Sequence, residues 1–169
     1  MPRAAIKIAA LLLVAVSALP GRLVAAEMTG SNGDWRTYRH GAGDDLMCFA
    51  VTKASDASGG DRESRKPHVY VTAWPKAGIK GEVSVLIGQP LRKGAEITIG
   101  IGDNSFTLFA DGDRAYVGDT GEETRLLEAM RRGKTMTVTA STADGNSVKD
   151  VYSLSGVTAS VQSISTSCQ

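Results

Sequence analysis

Residues 135–154, TMTVTASTADGNSVKDVYSL, decide the fold. Met136, Val138 and Ala140 alternate with Thr135, Thr137, Thr139 and Ser141. That period of two lines one face of a strand with apolar side chains and the other with hydroxyls. Asp144-Gly145 then supplies the backbone freedom of a tight turn before a second strand-like run, Lys149–Leu154.

The same pattern recurs upstream. Val69, Val71 and Ala73 alternate with Tyr70, Thr72 and Trp74; Val83, Val85 and Ile87 with Glu82, Ser84 and Leu86; Ile97, Ile99 and Ile101 with Thr98 and Gly100. Asp103-Asn104 and Asp111-Gly112 divide residues 97–102, 106–110 and 114–117 into further strands. Trp35–Arg39 and Leu46–Val51 flank a turn at Gly41–Asp45. Links this short join antiparallel neighbours, because parallel strands need long crossovers. One helix interrupts the strands. Glu122–Arg132 places Leu126, Leu127 and Met130 on one side, with Thr120 and Glu123 as a capping box and Gly133 as the C-terminal cap. Val157, Val161 and Ile164 repeat at helical spacing and predict a C-terminal helix leading to Cys168. The expectation is a mainly β, antiparallel β-sandwich of immunoglobulin-like size, with a closed barrel as the alternative.

The N-terminus reads differently. Arg3 and Lys7 precede the apolar run Ile8–Leu19, and Val24-Ala25-Ala26 has the small residues a signal peptidase reads. The run is about twelve residues, or about 18 Å as a helix, against a hydrocarbon core of about 30 Å. Residues 1–26 are therefore expected to be a cleaved signal peptide, residues 27–169 a single β domain, and no integral membrane segment is expected after cleavage. The expected location is the periplasm, with outer-membrane association or secretion as variants. The full chain has 19 basic and 18 acidic residues. Losing Arg3, Lys7 and Arg22 with the leader makes the remainder net acidic, so it has no bulk positive field for nucleic acid.

Export puts Cys48 and Cys168 where thiols oxidise, and a disulfide between them is expected. Cys48 with His40 or His68 could instead form a nucleophile and base, but the oxidising compartment favours the disulfide. No Gly-x-Ser-x-Gly elbow is present, and a cell-envelope hydrolase is carried only as the alternative function. The order His40, Cys48, His68, Cys168 has no close ligand pair for zinc. Asp111, Asp113 and Asp119 lack the order of a calcium loop and read as a solvated hairpin. Catalytic, cofactor and metal residues are accordingly none. Lys53–His68 reads as a long exposed polar loop. Its Arg62, Arg65, Lys66 and His68 are the expected contacts to an unknown protein or envelope component. Both Trp35 and Trp74 are expected in the core.

Several short pieces together resemble a known family. They are Gly33-Asp34-Trp35, Met47-Cys48-Phe49-Ala50, Glu82-Val83-Ser84-Val85 with Gly88-Gln89-Pro90-Leu91, Phe106-Thr107-Leu108-Phe109, Leu127-Glu128-Ala129-Met130 with Gly133, and Tyr152–Val157 with the terminal Cys168. In this order they resemble the invasion-associated locus B family of exported proteobacterial proteins. The resemblance implies a β-sandwich, export and a role named after host-cell invasion, and brings no catalytic residue. The Trp35–His40 stretch carries Tyr38 and none of the extra cysteines that many relatives have there. The function expected is that of a non-enzymatic binding or interaction module of the envelope.

Overall fold

A computed structural model describes residues 25–59 and 62–168. The expected signal peptide lies outside the described residues apart from Ala25 and Ala26. Eleven strands form: β1 (Glu27–Asn32), β2 (Trp35–His40), β3 (Met47–Lys53), β4 (Asp56–Ser58), β5 (His68–Trp74), β6 (Ile79–Leu86), β7 (Ile97–Ile101), β8 (Asn104–Asp111), β9 (Arg114–Tyr116), β10 (Thr135–Ser141) and β11 (Ser147–Ser153). Among the described residues, three α-helices join them: α1 (Arg62–Arg65), α2 (Thr120–Arg132) and α3 (Val157–Ser167).

All strands pair antiparallel in the order β1-β2-β3-β5-β6-β9-β8-β7-β10-β11-β4. The hinge of this ribbon is β8. Its residues 104–108 pair with β7, and Phe109–Asp111 pair with β9. One strand thus belongs to two half-sheets, and the ribbon closes on itself as a β-sandwich-like fold. The first half-sheet turns Trp35, Cys48, Ala50, Val69, Val71, Val83, Val85 and Ala115 inward; the second turns Ile97, Ile99, Phe106, Leu108, Met136, Val138, Val148 and Tyr152 to meet them. These are the in-phase residues of each alternation, which is why the strands adopt this register. Leu126 and Met130 of α2 and Val157, Val161 and Ile164 of α3 complete the core. The C-terminal helix expected from the Val157, Val161 and Ile164 spacing forms. It packs across β1, β2, β3 and β5, and ends at Cys168.

The disulfide between Cys48 and Cys168 is present, closing a sequence separation of 120 residues. It ties the end of α3 to the start of β3, where Cys48 is fully buried.

Several local details differ from the sequence reading. The helix α2 begins earlier, and Asp119 rather than Thr120 is its N-cap, accepting from the amides of Gly121 and Glu122 at 2.8 and 3.0 Å. An aspartate carboxylate reaches two amide donors at once and also favours the positive end of the helix dipole. Glu123 leaves the helix terminus and accepts a hydrogen bond from the Val83 amide of β6 at 2.6 Å. Gly133 does follow α2, but with φ −79° and not in the left-handed region. It is small for a packing reason, since a Cβ there would come within 2.5 Å of Ile101 and 2.9 Å of Leu154. The hairpin turns sit one residue away from the expected pairs, at Gly102-Asp103 and Gly112-Asp113. Each glycine takes the positive φ that its turn needs. Trp35 is fully buried and donates its indole N–H to the Ser153 carbonyl at 3.0 Å. Trp74 corrects the expectation of a core residue. It is 38% exposed, because it shares the outward phase of Tyr70 and Thr72, and Ala73 takes the inward slot.

Two outcomes follow for stability. Reducing the disulfide, or replacing Cys48 by Ser, lowers stability by up to about 4–5 kcal/mol in the chain-entropy account of a loop this long; urea melts with and without reductant measure it. Burial raises the Glu123 carboxyl above its ordinary 4.5, opposed by the Val83 hydrogen bond and reinforced by Glu82. The folded state therefore holds that proton more tightly than the unfolded chain. The contribution is complete below pH 4.5 and is lost as the pH rises through the raised value. Glu123→Gln flattens that part of the stability profile in melts taken across pH.

Candidate functional site

The stretch from Lys53 to His68 is where the sequence placed its partner contacts. It is not a free loop. The chain leaves β3, crosses to the far edge of the second half-sheet as β4 beside β11, turns through α1, and returns to the first half-sheet as β5. This strap is fastened along its length. The Ser55 amide donates to Val151, the Ser58 hydroxyl donates to Lys149, and the Ala54 amide donates to Pro67.

Arg65 is the correction with the largest consequence. It is not an exposed contact, being 4% exposed. One terminal nitrogen donates to Asp150 Oδ2 and the Ile87 carbonyl at 3.0 and 3.1 Å, and the other to Asp150 Oδ1 and the Ser58 carbonyl at 2.6 and 3.4 Å. The guanidinium fork fits a carboxylate in two-pronged geometry, and inside a protein such a pair holds only when nearly every donor is used. The hydrogen bond to Asp150 outweighs the cost of burial and raises the Arg65 pKa, keeping it charged. Desolvation, together with the Asp150 charge, pushes the Tyr152 phenol far up, keeping it neutral. Gly88 fits against the same strap, since a Cβ there would lie 1.7 Å from the Arg65 carbonyl oxygen. Asp150 went unread in the sequence although a signal existed. It occupies the inward phase of β11, between Val148 and Tyr152, where an isolated carboxylate would be untenable.

The other predicted contacts separate. Lys66 is exposed and left-handed at φ 47°. Its carbonyl accepts the His68 Nδ1–H at 2.6 Å. The side chain of Arg62 lies outside the described residues. Asp119, a member of the aspartate group weighed for calcium, caps α2.

The surface that stands out is the outer face of the first half-sheet. Strand register lays two rows of side chains across it. One runs Arg36, Val51, Tyr70, Ser84, Tyr116, Phe109, and the next runs Tyr38, Phe49, Thr72, Glu82. Rings meet across neighbouring strands: Tyr38 and Phe49 at 5.1 Å, Phe49 and Tyr70 at 6.1 Å, Phe109 and Tyr116 at 5.8 Å. The Arg114 guanidinium lies over the Tyr70 ring at 5.1 Å. Trp74 and Met47 extend the apolar area along a hollow that Glu82 and Arg114 border. The outer face of the second half-sheet is built otherwise, from Thr98, Thr107, Thr137, Thr139 and Lys149. Hydroxyls and a lysine are what water-facing strands ordinarily carry; a half-exposed aromatic face is the kind of surface that marks an interaction site. Tyr70 and Trp74 were visible in the sequence as the outward partners of β5, and Tyr38 and Phe49 stood in their own strands. Only the strand order brings them together.

The chain is thus a mainly β, β-sandwich-like domain, stapled near its C-terminus by a disulfide, with one polar and one aromatic outer face. Residues 35–165 match the family described as "Invasion associated locus B (IalB) protein", and the chain belongs to that family. The crystal structure of invasion associated protein B from Bartonella henselae has the same fold, with a TM-score of 0.56, 12% identity, and coverage of 83% of this chain and 95% of that one. No curated protein sequence matches. The family is not a known enzyme family. Among the described residues, no helix is long and apolar enough to cross a membrane.

Arg65→Met alone leaves Asp150 charged, buried and unpaired, and is expected to destabilise the protein by about 3–5 kcal/mol. The double variant Arg65→Met with Asp150→Leu recovers most of that loss, because it removes both charges together. Chemical denaturation of the three proteins compares them.

Proposed function

We propose that the chain is an exported, non-enzymatic interaction module of the cell envelope that meets a partner through the outer face of its first half-sheet. One observation carries this reading: six aromatic side chains, Tyr38, Phe49, Tyr70, Trp74, Phe109 and Tyr116, sit on a single solvent-facing surface. Leaving that apolar area in water gains nothing for the fold. Aromatic residues contribute most of the binding energy where proteins associate. The basic start and apolar run of residues 1–26 support export into the periplasm, where residues 27–169 mature as one domain. The disulfide supports it too, since such bonds persist in oxidising compartments. The family's description and the name of the Bartonella protein extend this to a part in host-cell invasion, which would need the face displayed at the cell surface.

The native protein is then expected to begin at Glu27 with both cysteines joined, as an intact-mass measurement reads. A photo-crosslinking amino acid in place of Tyr70 yields a discrete adduct in living cells, and the same group in place of Thr139, on the polar outer face, yields none. Equal adducts from both positions, or none from Tyr70, remove the assigned face.

A further inference from the structure

The aromatic face is not uniform in charge, and its charge says what kind of partner it fits. Between β2, β3 and β5 lies a hollow of about 310 Å³ lined by Arg36, Tyr38, Phe49, Lys53, His68 and Tyr70 among others. Its lining contains cations, an imidazole and phenols, and no carboxylate. The nearest acid in sequence, Asp34, lines the adjoining hollow, which Arg36 and Lys53 also border. Among the described residues, three exposed cations pair with acids. Lys76 pairs with Asp44 at 2.7 Å, Arg132 with Glu128 at 3.5 Å, and Arg125 with Glu122. Among the described residues, Arg36 and Lys53 have no such partner. Two cations outside any ion pair thus flank an aromatic floor.

Resting on the reading of this face as a binding surface, we propose that the hollow receives an acidic segment of a partner protein. Carboxylates of that segment sit on Arg36 and Lys53, and an apolar side chain lies over Phe49 and Tyr70. The ring geometry favours a polypeptide over a glycan. Tyr38 and Phe49 stack on each other with planes 14° apart, so their inner faces are already covered. Sugars and bases seek open ring faces, whereas aliphatic and aromatic side chains pack well on ring edges and rims. Tyr, Phe, Trp and Met with Arg is also the composition that protein interfaces concentrate at their centres. The guanidinium of Arg36 supplies two-pronged carboxylate recognition, and Lys53 a second point charge.

The test uses the oxidised protein and three fluorescent probes: a peptide of repeated Glu-Leu-Glu-Phe, the same peptide with Gln for Glu, and an oligogalacturonate. Anisotropy titration is expected to show the Glu peptide binding at least about tenfold more tightly than the Gln peptide, an advantage that shrinks as salt is added. Arg36→Glu with Lys53→Glu removes that advantage. Lys76→Glu with Arg132→Glu, the same total change of charge outside the hollow, leaves it intact. Equal binding of the Glu and Gln peptides, indifference to the double charge reversal, preferential capture of the oligogalacturonate, or binding of no probe each overturns the proposal. If the Tyr70 crosslink persists in cells while these probes fail, the acidic occupant is wrong and the face still binds. If the crosslink is absent as well, both readings fall.

Discussion

A buried arginine, Arg65, holds the two halves of this protein in one arrangement. Its guanidinium takes both oxygens of Asp150 on β11, the Ile87 carbonyl just beyond β6 and the Ser58 carbonyl at the end of β4. Those acceptors belong to the second half-sheet, to the end of a strand of the first and to the strap between them. Neither charge is tolerable alone at that depth, so the pair forms only when the strap, β11 and the first half-sheet are all in place. That is a specification of the fold more than a large net gain in stability.

The disulfide acts at the opposite end of the structure. It fixes α3 over β2 and β3, covering an inner surface that the sheets leave open, and it limits the unfolded chain more than it adds native contacts. With the ion pair on one side and α3 on the other, β2, β3 and β5 are braced from beneath. Their outward side chains are then displayed on a rigid platform. Rigid presentation matters for binding, because aromatic side chains that are already ordered lose little entropy when a partner arrives. The contrast between the threonine-rich outer face and the aromatic one shows that exposure of rings is not a general property of these strands.

Most of the strands were legible as alternations, and the two long helices as spacing. Short features were not. The strand β4 is three residues held by its neighbour β11, and its polar sequence gives no period to detect. Because that strand was invisible, residues 53–68 looked like solvated loop and Arg65 like a surface charge. Trp74 was misplaced for a different reason. A large apolar side chain suggests the core, but the phase it shares with Tyr70 and Thr72 points outward, and phase decides the side of a strand. For α2, the cap was sought among Thr and Glu pairs, while the acid one residue earlier had the better reach to two amides.

By itself, the sequence determined the class of structure: a period of two fixes which side chains share a face, turn residues fix antiparallel neighbours, and two cysteines fix the only crosslink available. Those are local rules, satisfied within about ten residues of chain. Tertiary structure decided which strands lie beside one another. Strand order set Phe49 between Tyr38 and Tyr70, carried β4 across to β11, and brought Arg65 to Asp150 over 85 residues of separation. Such meetings depend on the path of the whole backbone, which no local pattern encodes.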